Sequence, residues 1–494
     1  MKFISTRGKD VAINSAMAIT KGLADDGGLF VPEIFPSVTD GEMEKLLDMN
    51  YAERACLILS KYLEEYDYNN LLTACENAYS KFENSDAAPI VKIDENLFVM
   101  ELFHGPTLAF KDVALTLLPY LLRQGAILSG VKEEILVLVA TSGDTGKAAL
   151  EGLKDAEGVK IMVFYPSEGV SDMQKLQMRT QEGNNVNVVA VKGNFDDCQT
   201  AVKNIFSDKQ INLDLKNKGV VLSSANSMNF GRLAPQITYY FSAYCDLVNS
   251  GQIKMGEKVN FVVPTGNFGN ILAGYYAKQM GLPVDKLVCA SNSNNVLTEF
   301  FADGTYDANR EFFKTISPSM DILISSNLER LVFELSGRDF DVTAKRMADL
   351  KKTGKYKLES KEKSILDKEF FADYVDENEC IETISEIFDE YGYVLDTHTS
   401  VAMTVAQRFI DYTETETATV VLSTASPYKF AQDVLRAITN TTQKDAFKAA
   451  FTLHEQTAAP IPEQLLTLKE KEVRFSNVIE KDKTVEAVMA FVNK

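Results

Sequence analysis

Residues 133–153, EEILVLVATSGDTGKAALEGL, decide the fold class. The first half is an unbroken aliphatic and β-branched run without polar alternation, as expected of a strand buried on both faces. Small polar residues interrupt it at 141–146, and an amphipathic helical period follows. The same succession recurs at 219–244 (GVVLSSANSMNFGRLAPQITYYFSAY), at 258–281 (KVNFVVPTGNFGNILAGYYAKQMG) and at 418–438 (ATVVLSTASPYKFAQDVLRAI). Strand, small-residue loop and helix repeated in this way predict parallel βαβ units, right-handed crossovers and sheets covered on both faces. The expected class is α/β.

Around these units lie segments of other character. Residues 42–63, EMEKLLDMNYAERACLILSKYL, carry a helical period, and 38–85 as a whole reads as helices of an N-terminal region. A β-type pair, APIVKID and LFVMELF, spans 88–103. The lysine-rich 345–369 and the acidic DYVDENEC after it read as a solvated excursion. The last fifty residues read as an appendage that ends in a strand-like KEVRFSNV and a helix.

A length of 494 residues accommodates two to four domains at roughly 100–200 residues each. With 45% hydrophobic and 24% charged residues the composition is that of a globular protein. Lys plus Arg is 51 against 70 Asp plus Glu, a net charge of −19. That balance excludes the basic face of a nucleic-acid binder and disfavours an anionic membrane, but a locally basic pocket for a small anion stays open. Six scattered cysteines without a CxxC give no disulfide framework or zinc ribbon and read as buried, reduced thiols. Three distant histidines, His104, His398 and His454, make no metal-ligand motif. The N-terminal MKFISTRGKD lacks a signal-peptide core and no apolar run reaches bilayer length, so a cytoplasmic location is expected.

In open α/β sheets, ligands bind beyond the carboxyl ends of the strands, so the small-residue loops should converge. The loop 265–270, TGNFGN, offers glycines for close approach and free amides at a helix start, which suit a phosphate; a well-capped tight turn is the alternative. The loop 141–146, TSGDTG, can hold a carboxylate or phosphate or merely cap its helix, and Asp144 would repel an anion directly. In Ser423-Thr424-Ala425-Ser426-Pro427 a hydroxyl can hydrogen-bond a neutral ring nitrogen or cap the next helix. Lys111, in HGPTLAFKD, stands in an apolar run; desolvation there lowers an amine's pKa and favours a Schiff base, while a snorkelling lysine or a pair with Asp112 is the alternative. A Schiff-base lysine, a phosphate loop, an anion loop and a strand-end hydroxyl together describe a pyridoxal 5'-phosphate site.

STRG (5–8), LADDGGLFVP (23–32), HGPTLAFKD (104–112), TSGDTG (141–146), SANSMNFGRLAPQ (224–236), PTGNFGN (264–270) and STASPYKF (423–430) resemble, in this order, the motifs of the threonine synthase family. This family belongs to the fold type II, tryptophan synthase β-like pyridoxal phosphate enzymes. The resemblance implies two open parallel-sheet lobes with an additional N-terminal region: a helical region at 1–95, a large cofactor-binding lobe at 96–125 and 235–440, a smaller lobe at 126–234 and the C-terminal appendage at 441–494. It implies that Lys111 is the cofactor lysine and proton shuttle, that Gly266, Asn267, Phe268, Gly269 and Asn270 hold the cofactor phosphate, and that Thr424 meets the pyridine nitrogen. Ser142, Gly143, Asp144 and Thr145 would line the substrate carboxylate site; Lys147, Asn226, Ser227 and Arg232 are candidates for the substrate phosphate, Arg232 for its bidentate fork. The implied reaction turns O-phospho-L-homoserine and water into L-threonine and phosphate by γ-elimination and β-addition of water, the last step of threonine biosynthesis, in a monomer or homodimer without a metal. An O-phosphohomoserine phospholyase giving 2-oxobutyrate, ammonia and phosphate is the nearest alternative. A serine/threonine dehydratase is further off, because such relatives usually carry Asn where this chain has Asp144. Ser426 departs from the family's TAHP-type stretch, which has His there, and no role is carried over to it.

Overall fold

The computed structural model describes residues 1–8, 11–141, 143–168 and 170–493, apart from the side chain of Asp196. Two parallel sheets dominate. One is six-stranded, in the order Phe370–Tyr374, Val284–Ser291, Val259–Pro264, Thr419–Ser423, Leu97–Glu101 and Ile90–Lys92. All its pairings are parallel except the last, where Ile90–Lys92 runs antiparallel at the edge. The other is five-stranded and wholly parallel, in the order Val478–Glu480, Val186–Lys192, Val159–Pro166, Glu134–Ala140 and Val220–Ser223. The aliphatic runs noted in the sequence are their central strands: every residue of Val259–Pro264 and Thr419–Ser423 is buried. Helices cover both faces, which is why these strands show no polar alternation.

The N-terminal region is not purely helical. Lys2–Ser5 pairs antiparallel with Ile13–Asn14 on one side and Phe30–Pro32 on the other. Strands of two to four residues are too short to display a period. Helices follow at Ser15–Lys21, Asp40–Asp48, Tyr51–Ser60 and Tyr68–Tyr79. Thr39 with Glu42 and Asn50 with Glu53 form capping boxes that start the second and third, each worth about 1 kcal/mol.

The expected C-terminal appendage is instead divided between the two lobes. Val478–Glu480 extends the five-stranded sheet, and Val488 and Phe491 of the helix Thr484–Val492 enter the core of Leu136, Phe164 and Val191. The helix Ala446–Thr457 joins the other lobe, where Leu453 packs in the cluster of Val421 and Leu435. Of the strand-like KEVRFSNV only Val478 falls within the strand; the amides of Arg474 and Phe475 donate to the Arg179 carbonyl instead. The lysine-rich 345–369 folds as the helices Phe340–Thr353 and Ser360–Glu369, locked by a buried bidentate pair in which Arg346 donates to Glu362 at 2.7 and 2.6 Å.

Candidate active site

Three neighbouring strands of the larger sheet, Leu97–Glu101, Thr419–Ser423 and Val259–Pro264, deliver the loops that carry Lys111, Thr424 and residues 265–270 to one edge. The loop before Lys111 is laid along the one after Ser423. Phe110 N donates to the Thr424 carbonyl at 2.9 Å and Ser426 N to the Leu108 carbonyl at 3.0 Å. Ser426 also accepts from Tyr428 N, so its hydroxyl caps the short turn Pro427–Phe430.

Lys111 opens the helix Lys111–Leu115. Its sequence neighbour Asp112 is not its partner. Asp112 is buried and accepts from Thr107 N and Oγ1 at 2.8 and 2.6 Å, so it fixes the loop rather than the lysine. The Lys111 ammonium lies 3.4 Å from Ser319 Oγ and 3.9 Å from Asp144 Oδ2. Burial brings its pKa down to about 8; Lys429 and Arg232 push the same way, and Asp144 and Asp112 oppose. An amine so placed gives up its proton near pH 8, far more readily than an ordinary lysine, as a nucleophile and proton carrier requires.

Asp144 begins the helix Asp144–Leu153 of the smaller lobe. It receives Lys429 Nζ at 2.9 Å and Gln174 Nε2 at 3.0 Å. Burial alone would raise its pKa, but the ammonium groups of Lys429 and Lys111 outweigh that and hold it well below the usual carboxylate range. Gly143 has φ +148°, and an added Cβ would lie 2.5 Å from the Gln174 amide, so both backbone and space demand glycine. Gly143 N and Gly146 N donate to Thr141 Oγ1, which closes the turn. Thr145 is half-exposed beside it, and Ser142 lies outside the described residues.

The 265–270 loop turns through Phe268, whose φ of +61° ends it at the helix Gly269–Gln279. The Phe268 side chain is buried against Phe301 and Phe370, so only its backbone is available to a ligand. Gly266 packs under the turn that carries Ser319: a Cβ there would stand 2.8 Å from the Ser319 carbonyl oxygen. The Gly266 carbonyl accepts from Ser325 Oγ, and the Asn267 carbonyl from Asn327 N and Nδ2. Asn270 Oδ1 accepts from the Tyr239 and Tyr240 hydroxyls at 2.6 and 2.8 Å. Its Nδ2 is buried without an acceptor among the described residues.

Arg232 is buried as well. It donates through Nη1 to the Ala225 carbonyl, while its Nε has no acceptor among the described residues. Desolvation lowers it to about 10, with Asp112 and Tyr239 opposing. Ser227 borders the 265–270 loop, 3.8 Å from where a Cβ of Gly269 would stand, and Asn226 is half-exposed beside it. Lys147 is differently engaged: its amine is held by Glu151 and Gln181 at 3.0 and 2.6 Å.

Sequence reasoning passed over several residues here. Ser319, from the turn Pro318–Met320, faces Lys111. Its backbone N–H donates to His398 Nε2 at 3.1 Å, and His398 Nδ1 lies 3.0 Å from the fully buried Asp396. Arg330, also fully buried, ties the Phe30 and Met228 carbonyls to Asn327 and so braces the 265–270 loop from behind. Lys429 had a readable signal, since it stands between Tyr428 and Phe430 much as Lys111 stands among apolar neighbours. The others had none.

The residues fit pyridoxal phosphate. A lysine with a lowered pKa, a glycine pressed against backbone, and two buried donors lacking acceptors provide an amine, a close approach and unspent hydrogen bonds. Known proteins agree. Residues 2–79 match the family model described as threonine synthase N terminus, 86–353 that of pyridoxal-phosphate dependent enzyme, and 399–492 that of threonine synthase, C-terminal. The chain is 39% identical to the threonine synthase of Pseudomonas aeruginosa, over 88% of this chain and 90% of that one. It is 42% identical to human threonine synthase-like 1 over 85% of its own length, and spans 57% of the length of that relative. A crystal structure of PLP bound threonine synthase from Brucella melitensis superposes with a TM-score of 0.88 at 36% identity, covering 100% of this chain and 98% of that one. The chain belongs to the threonine synthase family of pyridoxal-phosphate-dependent, fold type II enzymes.

Proposed function

We propose that the chain converts O-phospho-L-homoserine and water to L-threonine and phosphate. The observation that carries this reading is the excess of cations at the lobe junction, where Lys111, Lys429 and the under-used guanidinium of Arg232 gather around Asp144 and Asp112. A substrate with a carboxylate and a phosphate needs such a site. Residues 266–270 would hold the cofactor phosphate and Thr424 the ring nitrogen. Gly143, Asp144 and Thr145, with Ser142, would face the substrate carboxylate. Asn226, Ser227 and Arg232 would face the substrate phosphate.

Bound pyridoxal phosphate supplies an electron sink that acidifies the hydrogens of the substrate carbons near its amine. The protein must then take and return protons at several carbons. Lys111 Nζ can do so because its pKa lies close to operating pH. Ser319 Oγ, at 3.4 Å, is a second group through which that proton can pass. Arg232 keeps its charge throughout, as the receiver of a leaving phosphate must. Lys111 and Asp144 come from different lobes, so closure of the lobes on substrate would exclude water until the step that consumes it.

The free cysteines support a cytoplasmic enzyme, while a monomer or homodimer is carried over from the family resemblance alone. All six cysteines are buried and free, and no described helix is long and apolar enough to cross a membrane.

The test is incubation with O-phospho-L-homoserine, phosphate measurement and product identification by mass. Threonine in step with phosphate is expected. Phosphate with 2-oxobutyrate would move the assignment to a phospholyase, and a normal turnover by Lys111→Ala would refute the role of Lys111.

A further inference from the structure

Asp144 is the anomaly of the site. A carboxylate at the mouth of an anion-binding loop should repel the ligand, yet it is 5% exposed and close to two ammonium groups. Lys111 cannot be its lasting counter-ion, since that amine has to give up its proton. Lys429 can. Its side chain is 2% exposed, and its Nζ reaches Asp144 Oδ1 at 2.9 Å and the Thr107 carbonyl at 2.8 Å. Asp144 follows a strand of the five-stranded sheet, whereas Lys429 and Thr107 follow strands of the six-stranded sheet.

We propose that Lys429 is a positioning residue that fastens the 141–146 loop of the smaller lobe to the 104–111 loop of the larger one and neutralises Asp144 beside the substrate carboxylate. The proposal deepens the function given above and rests on it only for the identity of the anion. The charged groups facing Lys111 are Asp144, Lys429, Arg232 and Asp112. Removing Lys429 takes away one cation and leaves Asp144 to Lys111 alone, so the Lys111 amine should hold its proton more firmly. Removing the Asp144 carboxylate should do the opposite. A buried lysine that served only packing would change neither.

The test uses the full chain freed of cofactor. Methylation of Lys111 by formaldehyde and cyanoborohydride is followed across pH by mass spectrometry of its peptide. In Lys429→Met the midpoint is expected to move up by about one pH unit, a tenfold fall in free amine at pH well below the original midpoint. Lys429→Arg should restore the original midpoint, and Asp144→Asn should move it down. Amide exchange at the start of the helix Asp144–Leu153 should quicken in Lys429→Met and not in Lys429→Arg. A folded Lys429→Met with an unmoved midpoint would overturn the proposal. Should that variant not fold, an unmoved midpoint in Asp144→Asn would overturn it equally. No substrate enters these measurements, so they fail or succeed independently of the product assay.

Discussion

Replacing Lys111 with Met should stabilise the cofactor-free chain at neutral pH. The side chain is 12% exposed, and burial brings its pKa from 10.5 to about 8. Below pH 8 both the folded and the unfolded chain carry the proton, and the folded one bears the whole cost of the buried charge. Between pH 8 and 10.5 the unfolded chain binds a proton that the folded one has released, so stability rises with pH across that window. A shift of that size corresponds to roughly 3 kcal/mol at pH 7, falling to ~1.4 kcal/mol at pH 9.5 and vanishing well above 10.5. Met keeps the length of the stem and removes the charge. Urea unfolding of both proteins at pH 7 and 9.5 measures the difference directly. A Lys111→Met chain no more stable than the original at pH 7, or an advantage that grew with pH, would refute the reasoning.

Gly266→Ala must push the Ser319 turn or the 265–270 loop aside, because the new Cβ meets backbone atoms at 2.8 and 3.2 Å. Overpacking of about 1–3 kcal/mol predicts cofactor binding weakened on the order of 5- to 150-fold, read by absorbance titration. Glu329→Gln should lower the unfolding free energy, read from urea titration, by about 2 kcal/mol, since a buried carboxylate that receives Thr6, Arg7 Nε and Arg7 Nη2 loses its charge while Arg7 is only partly exposed. Arg232→Lys should raise KM for the phosphorylated substrate about tenfold or more by losing the planar fork, whereas Lys147→Met should leave KM within about twofold because that amine is held by Glu151 and Gln181. Steady-state kinetics separates the two.

What the sequence revealed and concealed follows from range. EILVLVA and VNFVVP announce their strands because both faces are buried and every residue in them obeys one demand. Lys111 was legible because its apolar neighbours are adjacent in the chain. Ser319, Asp396 and His398 were not, for they meet only when the excursion through 308–327 folds back onto the start of the helix Thr397–Thr413. The alternative reading, a pair between Lys111 and Asp112, fails for a local reason: Thr107 offers that carboxylate a backbone and a hydroxyl donor five residues away. Lys147 drew notice by its place in the motif, but one helical turn on, Glu151 captures it. The STRG motif acquired a purpose that no local reading gave it. Its arginine grips Glu329, at the head of the helix Leu328–Leu335, just after the Asn327 that holds the Asn267 carbonyl.

The strand Val478–Glu480 closes an edge of the smaller sheet that was laid down by Val186–Lys192, nearly the whole of the larger lobe earlier in the chain. At ~5–20 residues per second, a ribosome leaves that edge uncovered for tens of seconds. Its unpaired amides and carbonyls, flanked by Val189 and Val191, are then a template for pairing with another nascent chain. Synthesis is thus the most vulnerable period in the life of the smaller lobe. Loss of the C-terminal strand would register first as poor yield and aggregation in the cell, before any change in the chemistry of the site.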